Sequence, residues 1–243
     1  MNLRVFNNPT EASFQTALLL VDQITRKPDS VICLASGDSP RLAYELAAVL
    51  LRHSRMDGAS WTLVGLDEWL GISPENPGSC HFFLRNHVIA PFGLSAEQYR
   101  LFSADAQHAQ QECAAMDAFL EGRGGIDLMI VGIGMNGHIG FNEPGTPDNI
   151  YSHVVELDGV TQQVGQKYFD QETPLRQGIT LGLRHLLEAR KALLIATGDH
   201  KAAIVREALT GPVSSSVPAS ILRNHPNATI LLDKAAAARL PVS

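Results

Sequence analysis

Two rhythms of apolar residues alternate along this chain. Short unbroken apolar runs give way to longer stretches in which apolar residues recur at helical spacing, and the alternation runs from end to end. Unbroken runs suit strands buried on both faces, and helical spacing suits helices that lay one face on a core. The runs are Leu3–Phe6, Val31–Ala35, Thr62–Leu66, Asp127–Val131, Ala192–Thr197 and Thr229–Leu232. A helix is predicted to open at Asn8, with Pro9 at its first position and Glu11 where a capping box needs an acid. Further helices are predicted over Arg41–His53, near Cys80–Ile89, over 105–121, and over Lys201–Leu209 and Pro218–Arg223. Such alternation, without internal repeat or long linker, predicts an α/β fold: a mainly parallel central sheet with helices on both faces, Rossmann-like, with 1–243 as one domain.

Composition narrows the partners. The chain has 243 residues and a formal net charge of -6, which argues against a broad nucleic-acid footprint. No apolar run approaches membrane-spanning length, and the start MNLRVFNNPTEA has no signal-peptide core. Cys33, Cys80 and Cys113 are odd in number and lack CxxC spacing. They read as reduced thiols, so the expected setting is cytoplasmic, with no metal, no membrane and no nucleic-acid partner.

The candidate chemistry lies where predicted strands end. In open parallel sheets, ligands bind beyond the carboxyl ends of the strands. After Val31–Ala35 the segment SGDSP leads straight into a helix. Gly37 lets the backbone approach a ligand, the helix N-terminus favours an anion, and Ser36 and Ser39 add hydroxyl donors. The segment has neither Walker A nor GxGxxG spacing, and Asp38 would repel a phosphate unless it points away. A helix cap in a tight turn, without a ligand, accounts for the same residues. Asp67 stands at the end of the third run, where apolar surroundings would raise its pKa toward that of a general base. Capping of the next turn by Asp67 or Glu68 is the alternative.

The stretch GIGMNGHIGFNEPG, 132–145, is the most informative. Five glycines in fourteen residues exclude a helix or strand interior, and Asn136, His138 and Glu143 follow at close spacing. Histidine is the usual proton shuttle, and an amide or carboxylate on its second ring nitrogen would fix the tautomer. The other histidines are scattered and show no metal-ligand spacing.

These segments together, LASGDSP, LDEW, GIGMNGHIGFNEPG, PLRQGITLG and ATGDHK, resemble the sugar-phosphate isomerase family that includes glucosamine-6-phosphate deaminase. VICLASGDSP, LDEW, PGSC, GITLGL and VPAS sit well with its galactosamine-6-phosphate deaminase/isomerase branch. The resemblance covers nearly the whole chain and implies conversion of a hexosamine 6-phosphate and water to ketohexose 6-phosphate and ammonia, with no cofactor. It implies that Asp67 moves a proton between C2 and C1, that His138 opens the pyranose ring, and that Glu143 and Asn136 orient and polarise His138. Ser36, Gly37, Ser39, Lys201 and Lys167 would hold the phosphate, although Lys167 stands where other members have arginine and lacks its two-pronged grip. Asn136 replaces the aspartate of many members, and Asp38 replaces a small neutral residue. The chain ends soon after its last predicted strand, without the extension of allosteric hexameric members. That implies no activation by N-acetylhexosamine phosphate; a monomer or small homo-oligomer is expected. The rivals are a 6-phosphogluconolactonase, which shares the fold but whose DER and DGHxAS-like signatures are absent, and a non-catalytic sugar-phosphate-binding module.

Overall fold

The computed structural model describes residues 1–53 and 60–241. Residues 54–59 and 242–243 of the expected 1–243 unit lie outside the described residues. Each long apolar run becomes a strand of one seven-stranded sheet, all parallel.

The chain begins with β1 (Asn2–Phe6) and α1 (Pro9–Arg26). Asn8 caps α1 by accepting the Glu11 N–H at 2.9 Å. The Glu11 carboxylate reaches back one residue beyond the cap, to the Asn7 N–H at 3.0 Å. Next come β2 (Val31–Leu34), α2 (Asp38–His53) and β3 (Thr62–Gly65). A short β4 (Asp67–Trp69) precedes α3 (Cys80–Leu84), which continues through a π turn (Arg85–Ile89) into α4 (Ala90–Phe92). Then follow β5 (Tyr99–Arg100), α5 (Ala109–Gly122), β6 (Leu128–Val131), β7 (His153–Glu156) and α6 (Gly159–Gly165). The chain closes with β8 (Gln177–Thr180), α7 (Leu183–Glu188), β9 (Ala192–Ala196), α8 (Ala202–Thr210), a 3-10 turn (Pro218–Asn224) and β10 (Ala228–Asp233).

Strand order in the main sheet is β1-β10-β9-β6-β2-β3-β5. Alternate residues of each strand enter separate cores, as the pleat requires. Ile32, Leu34, Leu63 and Ile130 pack with Leu20 and Ile24 of α1 and Tyr44 of α2. Cys33, Val64, Met129 and Val131 pack on the other face with Met116 of α5, Leu186 of α7 and Val205 of α8. Helices therefore cover both faces, as the sequence predicts. No helix among the described residues is long and apolar enough to cross a membrane.

β5, β7, α6, β8 and α7 were not among the predicted elements, and three of the predicted details differ. The last predicted helix, Pro218–Arg223, is a 3-10 turn. Helix α2 starts at Asp38, inside the anion loop, so Asp38 itself lies in the first turn. The third correction shapes the site: Asp67 does not close β3 but opens β4, which pairs antiparallel with β8 in a second sheet ordered β4-β8-β7. The Leu181 N–H donates to Leu66 O at 2.9 Å, and Asp67 stands opposite Thr180. The chain thus turns out of one sheet and into another at the residue carrying the candidate base.

Candidate active site

Because β6, β2 and β3 are neighbours, the loops after them open on one crevice. A cavity of about 340 Å³ lies there, lined by the anion loop, Asp67, His138, and Lys167, Tyr168 and Lys201. The sequence-predicted residues Ser36, Gly37, Ser39, Asp67, His138, Lys167 and Lys201 all reach this cavity, while Asn136 and Glu143 sit behind His138.

Asp67 is only partly open to the cavity, and its Oδ1 is sealed from solvent without a hydrogen-bond partner. Burial, and then the neighbouring Glu68 carboxylate, push its pKa up to about 7, against a lowering contribution from the Cys80 thiol. An oxygen left without a donor in such a place is costly, and it is poised to take a proton. Glu68 has the capping role that the sequence left open between the two acids. Its Oε1 accepts from the N–H groups of Trp69 (2.8 Å) and Cys80 (3.0 Å), and its Oε2 from that of His81 (2.7 Å). Burial raises Glu68 to about 7 as well, but three amides, two of them at the α3 N-terminus and one from Trp69 of β4, favour its charged form. The two carboxyls adjoin in the same buried setting, and charge on Glu68 disfavours charge on Asp67.

His138 rests over Gly134. A Cβ on Gly134 would lie 2.2 Å from His138 Nε2, so only glycine leaves the ring its place. His138 Nδ1 is 3.0 Å from Thr161 Oγ1 and 3.4 Å from Glu143 Oε2. Glu143 is buried, which alone would raise its pKa. The hydrogen bond and charge of His138, with Thr161 and Asn136, outweigh that and hold it below the ordinary glutamate range. Asn136 does not touch the imidazole. Its Oδ1 accepts the His138 backbone N–H at 3.2 Å, and its Nδ2 donates to Glu143 Oε2 at 2.7 Å. Asn136 therefore joins the His138 backbone to the carboxylate that pairs with the ring. An amide suffices there because the carboxylate already supplies the charge.

The anion loop faces two lysines. Lys201 Nζ donates to Ile133 O at 2.6 Å, and burial followed by repulsion from Lys167 lowers its pKa to about 8. Lys167 Nζ pairs with Asp38 Oδ2 at 2.8 Å and lies 4.7 Å from the centre of the Tyr168 ring. Burial opposes the charge on Lys167, but the Asp38 hydrogen bond prevails and raises its pKa. Asp38 is therefore turned onto a lysine rather than left bare beside the anion loop. Gly37 has φ +125, a conformation that other residues resist, and the space where its Cβ would stand lies 3.8 Å from the Tyr168 hydroxyl.

Thr161, Tyr168 and Cys80 were missed as site residues. Thr161 and Tyr168 lie in and just after α6, a polar stretch with no strand-length signal. The PGSC segment quoted for the resemblance does contain Cys80, whose Sγ accepts from Ser36 Oγ at 3.1 Å.

Comparison with known proteins agrees with this geometry. The family profile described as glucosamine-6-phosphate isomerases/6-phosphogluconolactonase matches residues 10–231. A glucosamine-6-phosphate deaminase of Halothermothrix orenii is 36% identical over 241 residues, spanning 99% of this chain and 100% of that protein. One from Bacillus velezensis is also 36% identical, spanning 98% and 99%. A solved structure described as a monomeric glucosamine-6-phosphate deaminase superposes with TM-score 0.94 at 32% identity, covering 98% of this chain and 100% of that one. The 6-phosphogluconolactonase of Trypanosoma cruzi has the same fold at TM-score 0.81, with 18% identity over 99% of this chain and 97% of that one. The chain belongs to the family of glucosamine-6-phosphate isomerases and 6-phosphogluconolactonases.

Proposed function

We propose that the protein deaminates and isomerises a hexosamine 6-phosphate, giving ketohexose 6-phosphate and ammonia. The observation that carries this reading is the placing of Asp67 on the same cavity as His138, which pairs with Glu143, and two lysines. The phosphate sits on the Ser36, Gly37 and Ser39 loop with Lys201 and Lys167. Its binding energy, spent away from the reacting carbons, fixes C1 and C2 against Asp67. His138, held by Glu143 and Thr161, carries a proton from O1 to O5 and opens the ring. Asp67 then takes the C2 proton and returns it to C1 through an enolamine. Water replaces nitrogen at C2, and ammonia leaves. A base near neutrality suits this task, since it is ionised at working pH and can still give the proton back. Each of the two proton movers contributes about 10²–10⁴ in rate.

The test is ammonia release from glucosamine 6-phosphate and galactosamine 6-phosphate side by side, with 6-phosphogluconolactone hydrolysis as a third arm. Ammonia from either epimer, lost in Asp67→Asn, is the expected result. Lactone hydrolysis alone would move the protein to the other branch of the family. Binding of the amino sugars without turnover would make it a non-catalytic module.

A further inference from the structure

Two proton movers on separate chain segments act together only at a fixed separation. Asp67 opens β4, whereas His138 and Glu143 belong to the loop after β6. One buried hydroxyl joins these segments. Thr180, the last residue of β8, is 0% exposed and stands opposite Asp67 in the second sheet. Its Oγ1 accepts the N–H of Phe141, which lies between His138 and Glu143 in the chain, at 3.2 Å. The same hydroxyl can donate to Leu66 O at 3.3 Å, the carbonyl directly before Asp67, and to Leu181 O at 3.1 Å. It thus spends its acceptor on the loop and its proton on the strand junction.

The surrounding residues make room for this contact. Gly140 has φ +57, and a Cβ there would lie 2.7 Å from Thr180 Oγ1, so glycine lets the loop close on the hydroxyl. The Phe141 ring lies 4.5 Å from that of Trp69, at the other end of β4. Asn142 Nδ2 donates to Ile139 O and to Leu181 O, both at 2.8 Å, which attaches the loop to the residue after β8 without Thr180. Removing the hydroxyl therefore leaves the loop attached and loses the tie at Phe141.

We propose that Thr180 is a positioning residue for the reaction: its hydroxyl holds the His138 loop against the strand that opens with Asp67, and so sets the separation of the two groups that move protons. The inference rests on the reading of Asp67 and His138 as those groups. Thr180 acts on them through the Leu66 and Phe141 backbone, not by touching substrate.

The experiment compares wild type with Thr180→Val and Thr180→Ser. Valine keeps the branched shape and loses the hydroxyl, while serine keeps the hydroxyl and loses the methyl. Kinetics use the hexosamine 6-phosphate epimer that wild type turns over, and inorganic phosphate probes the anion loop. In valine kcat should fall about 10- to 100-fold, the effect of a small misplacement of reacting groups. KM and inorganic phosphate affinity should stay within about twofold, since the anion loop and the lysines take no part in this contact. Serine should bring kcat back to within about threefold of wild type. Two readouts need no substrate. In valine the Phe141 amide should exchange faster with solvent, and the His138 ring signals in NMR, assigned with His138→Gln, should move. Both should return in serine. If valine proves too unstable, Thr180→Ala carries the same comparison.

A kcat unchanged in valine, a loss as large in serine, or a KM and phosphate affinity that worsen along with kcat would each overturn the proposal. Unmoved His138 ring signals in valine would do the same. A wild type that releases no ammonia, with His138 signals that still move in valine and return in serine, would refute the function assigned to the site and uphold Thr180 as the residue that places the loop.

Discussion

Replacing Asp67 by asparagine should make the protein more stable, and increasingly so as pH rises. The folded chain holds this carboxyl near pKa 7, where the unfolded chain has about 3.8. Below about 3.8 the group is protonated in both states and affects stability little. Between the two values the folded state binds more protons than the unfolded state, so stability falls as pH rises. Above 7 the full penalty is present. About three pKa units at 1.36 kcal/mol each give about 4 kcal/mol, and the part of Asp67 that opens to the cavity reduces this, leaving about 2–4 kcal/mol. Asparagine is nearly isosteric and never ionises, so it escapes the penalty and also relieves the repulsion on Glu68. Urea unfolding of both proteins from about pH 4 to about pH 8 measures the gap. The gap should be small at the acid end and grow to its full size by pH 8, in a variant that has lost ammonia release. A gap that does not change with pH, or a variant less stable at pH 8, would refute the placing of a strained carboxyl at this junction.

Other consequences follow from the same geometry. Gly134→Ala places a methyl 2.2 Å from His138 Nε2, so kcat/KM should drop by about 10²-fold or more while the melting temperature changes little. Retained activity would show that the ring has freedom to move aside. KM should rise as pH passes about 8, where Lys201 loses its proton, with kcat less affected, and Lys201→Arg should flatten that rise. A KM that stays level to pH 9 would remove Lys201 from phosphate binding. Asp38→Asn should lower KM about three- to tenfold with kcat unchanged, since it takes a negative charge from beside the anion loop and frees Lys167. Its exposed ion pair is worth at most about 1 kcal/mol, so stability should barely move. A higher KM would show instead that Asp38 is needed to hold Lys167 in place.

The inner strands of the main sheet were legible because they are buried on both faces and so are apolar at nearly every position, whereas the edge strand Tyr99–Arg100 gave no such signal. VICL, TLVG and LMIV could be read without knowing their neighbours. The second sheet was not. DEW, HVVE and QGIT are short and half polar, and their pairing depends on contacts distant in sequence. The same limit applied at the site. Glycine, histidine and glutamate crowded into 132–145 signal a shaped loop. Thr161 on His138, or Asp38 on Lys167, joins residues 23 and 129 positions apart, and a chain read locally contains no sign of either contact. Spacing alone does not say whether the Asn136 amide meets the His138 ring or the backbone beside it; the structure has it on the backbone.

The far wall of the cavity has an unusual attachment. The chain departs from β7 at Leu157 and comes back at Arg176, where the Leu157 N–H meets Arg176 O at 2.9 Å, next to the paired Glu156 and Gln177. The two ends of 158–175, which carries Thr161, Lys167 and Tyr168, therefore meet at one end of the β7–β8 hairpin, and the segment reaches the rest of the site through Thr161 on His138 and Lys167 on Asp38. Such a stretch enters and leaves at one place, so a change within it leaves the threading of the main sheet unaltered. A change in its length would alter the lysine side of the cavity and, through Thr161, the support of His138, while the strand that opens with Asp67 keeps its pairing to β8.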